Sequence, residues 1–301
     1  MKIGFIGLGK MGLNMALNVS DDNWQVIGFD VNDKVRKNAT QEKIEVAVTL
    51  DSLLDKLEQK KIIFLSTPAG KITNQLIEEL SFKLNAGDII IDSGNSNYHD
   101  SVKNYELLQE KQIDFLDCGT SGGMAGARYG ACLMIGGEKK VFEFMEPFFK
   151  SLACKDGYIY SGSAGSGHYL KMVHNGIEYG MMQAMGEGFD ILQSSDYEFD
   201  SKSVAQVWNH GSVIRSWLME LLAQGLVTDP DLAQIKGKVD ASGEAKWTIE
   251  EALRLNVPIP VIASSLFARN ASQIEDSFSN KVVATLRQGF GGHKTFKKEE
   301  A

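Results

Sequence analysis

The chain has 301 residues, more than one hydrophobic core usually supports, so two domains are expected. With 43% hydrophobic and 23% charged residues it has the composition of a folded soluble protein, and its net charge of −8 argues against nucleic acid or an anionic membrane as partner. The three cysteines, Cys118, Cys132 and Cys154, are odd in number and lack metal-ligand spacing, which fits a reducing compartment and points to no metal site.

The opening MKIGFIGLGKMG has neither the charged region nor the long apolar run of a signal peptide, and no later segment is apolar enough to span a bilayer. A cytoplasmic protein is expected. Residues 2–6 predict a short buried strand, followed at once by Gly7-Leu8-Gly9-Lys10-Met11-Gly12 and a helical pattern to residue 19. Strand, G-x-G-x-x-G and helix together point to a dinucleotide site. Gly7 permits the tight turn, Gly9 lets a pyrophosphate approach the helix N-terminus, and Gly12 lets helix and strand pack closely, with Leu8 and Met11 completing the cradle. A second strand at residues 25–29 ends in Asp30. A carboxylate there would accept a ribose 2′-hydroxyl and repel a 2′-phosphate, favouring NAD over NADP, with Lys34 and Arg36 the nearest cations. The competing reading of Asp30 is a cap for the helix starting near residue 32.

Further on, the pattern predicts a short strand near Val46, a helix at 49–59, a strand at 61–66, a helix at 71–82 and a strand at 88–91. Thr67 and Pro68 stop one strand where a doubly wound sheet keeps its ligand crevice, a place for the nicotinamide or its ribose. After Asp92 comes a turn through Gly94 and Asn95, then a helix ending near 112 and a strand at 113–117. Five glycines between Gly119 and Gly130 read as a loop, in which Ser121, Gly122 and Gly123 could offer backbone N–H groups to a carboxylate or hydroxyls. A strand near 131–135 and a helix at 141–151 complete the first half.

Beyond a turn at 161–167 the strand signals vanish. Helices are expected at about 166–193, 201–210, 213–224, 244–255, 258–269 and 278–287. Fold class is therefore α/β followed by all-α, a Rossmann-type doubly wound sheet over residues 1–163 and a helical domain over 164–301. In the first of these helices Lys171, His174, Asn175, Glu178 and Tyr179 share one stripe, flanked by Met172, Val173, Ile177, Met181 and Met182. Solvated stripes are built from Lys, Glu, Gln and Arg, whereas His, Asn and Tyr are poor helix formers that gain nothing there. The stripe reads as the wall of an active site. Trp208 and Trp217 read as helix-packing core, and the end KKEEA as a frayed, solvated tail.

GLGKMG, GDIIIDSGNS, SGGMAGARYG, KMVHNGIEYG, KWT and the closing FGGH, in this order and spacing along nearly the whole chain, resemble the decarboxylating 6-phosphogluconate dehydrogenases. The resemblance is to a short form that lacks the second helical repeat of longer members, and Asp30 fits the NAD preference of short forms. It implies Lys171 as general base and acid and Glu178 as second acid. Asn95, Ser121, Gly122, Gly123, His174 and Asn175 would bind the sugar acid, and Tyr179 and Arg269 its phosphate. Arg287 and His293 would reach the site of a neighbouring subunit, implying a homodimer or homotetramer. The relatives carry a phosphate-binding lysine and threonine just before KWT, where this chain has Ser242-Gly243-Glu244-Ala245.

Residue chemistry agrees with that family. Oxidising a secondary alcohol needs a base near the hydroxyl as hydride leaves, and a lysine serves only when its pKa lies well below the ~10.4 of a free side chain. Burial and a positive nicotinamide push it down. Two competing readings use the same scaffold: an NAD enzyme oxidising an unphosphorylated 3-hydroxy acid, and a non-catalytic dinucleotide sensor, for which Lys171 and Glu178 would have no use.

Overall fold

The computed structural model describes residues 1–297, so the expected solvated tail lies, from residue 298 on, outside the described residues. The chain divides into two units, Met1–Gly176 and Ile177–Ala301.

The first unit is a sheet with helices on both faces. Its strands are β1 (Lys2–Ile6), β2 (Gln25–Phe29), β3 (Glu45–Val46), β4 (Ile62–Leu65), β5 (Ile89–Asp92), β6 (Asp114–Ser121), β7 (Ala131–Gly137) and β8 (Ala153–Gly162). Between them run α1 (Lys10–Asp21), α2 (Asp33–Gln41), α3 (Leu50–Lys56), α4 (Lys71–Ser81), α5 (Tyr98–Gln109), α6 (Gly123–Tyr129) and α7 (Lys139–Leu152). The strand order is β3-β2-β1-β4-β5-β6-β7-β8. Every pair is parallel except β6 with β7, so β7 and β8 run against the rest. Period-two alternation divides the core between the two faces. Ile3, Phe5, Ile62, Phe64, Ile89 and Ile91 join Phe148 and Phe149 of α7 on one face. Ile6, Ile63, Leu65 and Ile90 join Leu53, Ile77 and Leu108 on the other. Each fully buried Ile or Phe contributes roughly 1.5–3 kcal/mol, so an all-apolar strand such as IIFL holds the sheet from both sides.

Two elements of this unit are absent from the sequence expectation, and β6 runs four residues past its expected end at 117. β8 is an added edge strand, and the glycine-rich stretch after Ser121 holds a helix, α6, which begins at the left-handed pair Gly122 and Gly123. Asp30 does not cap α2: Asn32 does, accepting the Lys34 N–H at 2.9 Å.

The second unit is helical: the later part of α8 (Ser166–Gln193), then α9 (Ser201–Trp208), α10 (Trp217–Thr228), α11 (Gly243–Leu255), α12 (Pro260–Ser272) and α13 (Phe278–Gly291). α10 starts four residues later than the pattern predicts because Ser216 takes the Met219 N–H as its N-cap. Trp208 packs edge-on against Phe189, whereas Trp217 is half exposed. α13 has no buried residue; Phe278, Val283, Leu286 and Phe290 all face solvent in this chain.

Candidate functional site

At the carboxyl edge of the parallel strands lies a cleft of about 660 Å³, within the size range of ligand pockets. Three glycines build it in three ways. Gly7 turns the chain at φ +91°, where a side chain would be strained and its Cβ would stand 2.3 Å from the Ser66 carbonyl oxygen. A Cβ on Gly12 would stand 1.9 Å from the Gly7 carbonyl oxygen. At Gly9, in contrast, a Cβ would meet nothing within 4 Å, and no side chain caps α1 behind it. The first-turn N–H groups of α1 therefore face open space, the arrangement that receives a pyrophosphate.

Asp30 is fixed at the far wall. Its Oδ2 accepts the Leu8 N–H at 2.9 Å and its Oδ1 the Asn32 N–H at 2.8 Å. Each oxygen keeps lone pairs for a ribose diol. Leu8 is buried, so it holds Asp30 in place and does not line the cleft. Met11, Thr67, Pro68 and Asn95 do line it. So do Lys10, Val31 and Ile72, which the sequence reading passed over. Lys10 occupies a variable position of the glycine motif; Val31 and Ile72 are apolar and exposed, which marks them only once the cleft is seen.

At the neighbouring end of β6, Asn95 sits at φ +52° and reads the backbone of Thr120 on both sides. Its Oδ1 accepts the Thr120 N–H at 3.1 Å and its Nδ2 donates to the Thr120 carbonyl at 3.4 Å. The turn before it is held by buried Asp92, which accepts the Gly94 N–H at 2.9 Å and the Ser96 hydroxyl at 2.7 Å. Ser121 follows, and its hydroxyl lies 3.2 Å from His174 Nε2. His174 Nδ1 lies 2.9 Å from Asn175 Oδ1, which also accepts Lys171 Nζ at 2.8 Å. The network assigns the tautomer: Nδ1–H donates to Asn175 and Nε2 accepts from Ser121. Lys171 and Asn175 are only 5% and 9% exposed, so the polar stripe points inward.

Close approach of α8 to the sheet depends on a missing side chain. A Cβ on Gly119 would stand 2.5 Å from Lys171 Cβ. Beneath it, Cys118 is wholly buried, and burial pushes its thiol up to about 12, so it is no nucleophile.

Within the second unit, Tyr179 and Arg269 come together: the guanidinium lies 3.3 Å from the centroid of the tyrosine ring. The Tyr179 hydroxyl accepts the Ser242 N–H at 2.9 Å and contacts its Oγ at 2.8 Å. Glu178, the next stripe member, is half-buried. Arg287 and His293 are both exposed, and His293 leans on the Phe290 ring. A second hollow of about 550 Å³ lies among Met185, Phe189, Leu222 and Leu226. It is lined by no cation and so is unsuited to an anionic substrate. Among the described residues, no group of three or more His, Cys, Asp or Glu is placed to hold a metal ion, and no helix is long and apolar enough to cross a membrane.

Comparison with known proteins gives a consistent result. A family profile described as the NAD binding domain of 6-phosphogluconate dehydrogenase matches residues 2–162, and one described as the C-terminal domain of that enzyme matches residues 167–300. The chain is 50% identical over 298 residues to YqeC of Bacillus subtilis (strain 168), provisionally named a 6-phosphogluconate dehydrogenase, covering 99% of this chain and 100% of that protein. It is 40% identical over 302 residues to the NAD(+)-dependent, decarboxylating 6-phosphogluconate dehydrogenase of Haloferax volcanii, covering all of both. Among solved structures, Plasmodium falciparum 6-phosphogluconate dehydrogenase superposes with a TM-score of 0.82 at 30% identity, covering 100% of this chain and 67% of that one.

Proposed function

This chain belongs to the 6-phosphogluconate dehydrogenase family of oxidoreductases, and from that premise we propose that it converts 6-phospho-D-gluconate to D-ribulose 5-phosphate and carbon dioxide, with NAD as acceptor. The observation that carries this reading is the hydrogen-bonded chain Ser121, His174, Asn175, Lys171, which sets a buried amine among groups able to hold a polyhydroxy acid. Lys171 Nζ takes the proton of the 3-hydroxyl. Once protonated, it donates to the 3-carbonyl while carbon dioxide leaves, without a metal. Glu178, seven residues along the same helix, delivers a proton to carbon 1 of the enediol. Bound NAD supplies the hydride acceptor, held by the cleft over Gly9 and by Asp30.

Asn95, Ser121, Gly122, Gly123, His174 and Asn175 bind the sugar acid in this reading, and Tyr179 with Arg269 takes the phosphate. Residues 1–163 form the nucleotide-binding domain and residues 164–301 the substrate-binding and dimerisation domain of a cytoplasmic homodimer or homotetramer. Arg287 and His293 complete a neighbouring copy's site. Their exposure in the single chain supports that role.

The test is an absorbance assay with 6-phosphogluconate, comparing NAD with NADP and trapping carbon dioxide. Reduction of NAD with equal carbon dioxide release is expected. No reduction with either cofactor would move the assignment to an unphosphorylated 3-hydroxy acid. Asp30→Ala is expected to raise the NADP-to-NAD ratio of kcat/KM at least about tenfold, since it removes the 2′-hydroxyl acceptor and the charge that repels a 2′-phosphate; an unchanged ratio would leave Asp30 only its two backbone bonds. Truncation before Arg287 is expected to raise the KM for 6-phosphogluconate about tenfold or more by removing the two ligands, Arg287 and His293, that this reading places in the neighbouring copy's site; an unchanged KM would restrict the tail to assembly.

A further inference from the structure

The start of α8 is pressed onto the middle of the sheet by a set of contacts that the proposed chemistry does not itself use. Asp117, in the middle of β6, is wholly buried, and its carboxylate faces the first turn of the helix. Oδ1 accepts the Gly165 N–H at 2.6 Å and Oδ2 the His168 N–H at 2.8 Å. Burial raises the proton affinity of this carboxyl, and the neighbouring His168 and the two amide donors oppose that rise. A buried carboxylate is costly unless its partners are well placed, and here both are backbone donors of a helix end.

The seat around it is cleared by glycine. A Cβ on Gly136, which pairs with Asp117 across β6 and β7, would stand 2.6 Å from Asp117 Oδ1 and 2.8 Å from the Gly167 nitrogen. A Cβ on Gly167 would stand 2.6 Å from the Asp117 carbonyl oxygen, and one on Gly119 2.7 Å from the Gly167 carbonyl oxygen. These glycines bring helix and strand into close contact, and the carboxylate bonds the backbone of the first turn directly. A second anchor lies on the other side: the His168 ring, 1% exposed, places Nδ1 2.7 Å from the Ser101 hydroxyl of α5. Lys171 follows one turn later, its Cβ against Gly119.

We propose that Asp117 is a positioning residue for the reaction: by pinning the Gly165 and His168 amides it fixes where α8 delivers Lys171 Nζ. This rests on the reading of Lys171 as the base. Catalytic groups lose about 100-fold in rate for a misplacement of about 1 Å, so a slackened first turn acts on kcat and leaves the separate cofactor cleft alone.

The variant is Asp117→Asn in the full chain, which keeps the size but turns an NH₂ group toward an N–H donor. Expected with 6-phosphogluconate are a kcat about 10- to 100-fold lower, an unchanged dissociation constant for NAD, and a larger primary isotope effect with substrate deuterated at carbon 3. Hydrogen exchange at the Gly165 and His168 amides should accelerate at least about tenfold while β1 and β4 stay protected. A merely structural role would reduce the amount of folded enzyme and leave the isotope effect of the remainder where it was; that result, or full activity, overturns the proposal. Should Asp117→Asn fail to fold, Ser101→Ala removes the second anchor without adding a charge or a bulk, and a two- to fivefold loss of kcat with a raised isotope effect is expected. Its isotope effect staying at the wild-type value would equally overturn the proposal. If Lys171→Met is inactive while Asp117→Asn is undisturbed, positioning alone fails; if Lys171→Met is fully active, the base assignment fails first.

Discussion

Replacement of Lys171 by methionine is expected to lower turnover by about a thousandfold or more while NAD still binds with nearly its original affinity. General base catalysis by a positioned side chain is worth roughly 10² to 10⁴ in rate, and Lys171 also carries the polarising role at the carbonyl. Methionine keeps the unbranched stem against Gly119, so the helix has no reason to move. Asn175 Oδ1 loses the Nζ donor but retains the contact with His174 Nδ1. Lys171 is not among the residues lining the cofactor cleft, which is why binding and turnover should separate. Steady-state rates together with a fluorescence titration of NAD would show it, and unchanged turnover would end the assignment of Lys171 as the base.

The second large effect separates two glycines of one motif. Gly12→Ala is expected to cost about 3 kcal/mol or more of stability, because its Cβ would overlap the Gly7 carbonyl oxygen. Gly7 cannot retreat: its N–H is bonded to the Phe29 carbonyl at 2.9 Å, and Ser66 stands behind it. Gly9→Ala should leave the melting temperature within a few degrees, since φ −62° suits any residue and the added methyl meets no protein atom. That methyl instead stands in front of the uncapped turn of α1, and NAD affinity should fall at least about tenfold. Thermal melts and NAD titrations of the two variants test both halves. Equal melting temperatures for the two variants would contradict the steric argument, and undiminished NAD binding by Gly9→Ala would contradict the cradle.

How much of this could be read beforehand depended on how each element is stabilised. β1, β4 and β5 announce themselves because both faces are buried and, between Lys2 at the start of β1 and Asp92 at the end of β5, every residue of the three strands is apolar or glycine. β8 gives no such signal. It is an edge strand with no buried residue, interrupted at Asp156 with φ +59° and shifted in register against β7. α6 hides for a different reason: GMAGARY has the glycines of a loop, and the helix is sustained by tertiary contacts, with Ala127 buried and Arg128 2.7 Å from Asp21 of α1. Tertiary context overrides propensity there. The stripe from Lys171 to Asn175 was legible because helical period alone lines it up, and Ser121 was legible from its glycine neighbours. Asp117 was not. In the sequence it is a polar residue at an apparent strand end, and only the approach of α8, 48 residues on, reveals a carboxylate that binds a helix.

The reversal of β7 and β8 also governs where the chain can change length. Because β8 runs against β6, α8 enters from the far edge of the sheet and then travels alongside β6 in the same direction. Asp117 meets His168, Gly119 meets Lys171 and Ser121 meets His174, two strand residues being matched to three helical ones at each step. One residue inserted between His168 and His174 would turn everything beyond it by about 100° and advance it by about 1.5 Å, sweeping the amine and imidazole away from their strand partners. An insertion at Glu138, in the turn between β7 and α7, touches none of these pairs. Windows 117–121 and 168–174 are thus toothed together like a rack and pinion, and neither can gain or lose a residue alone.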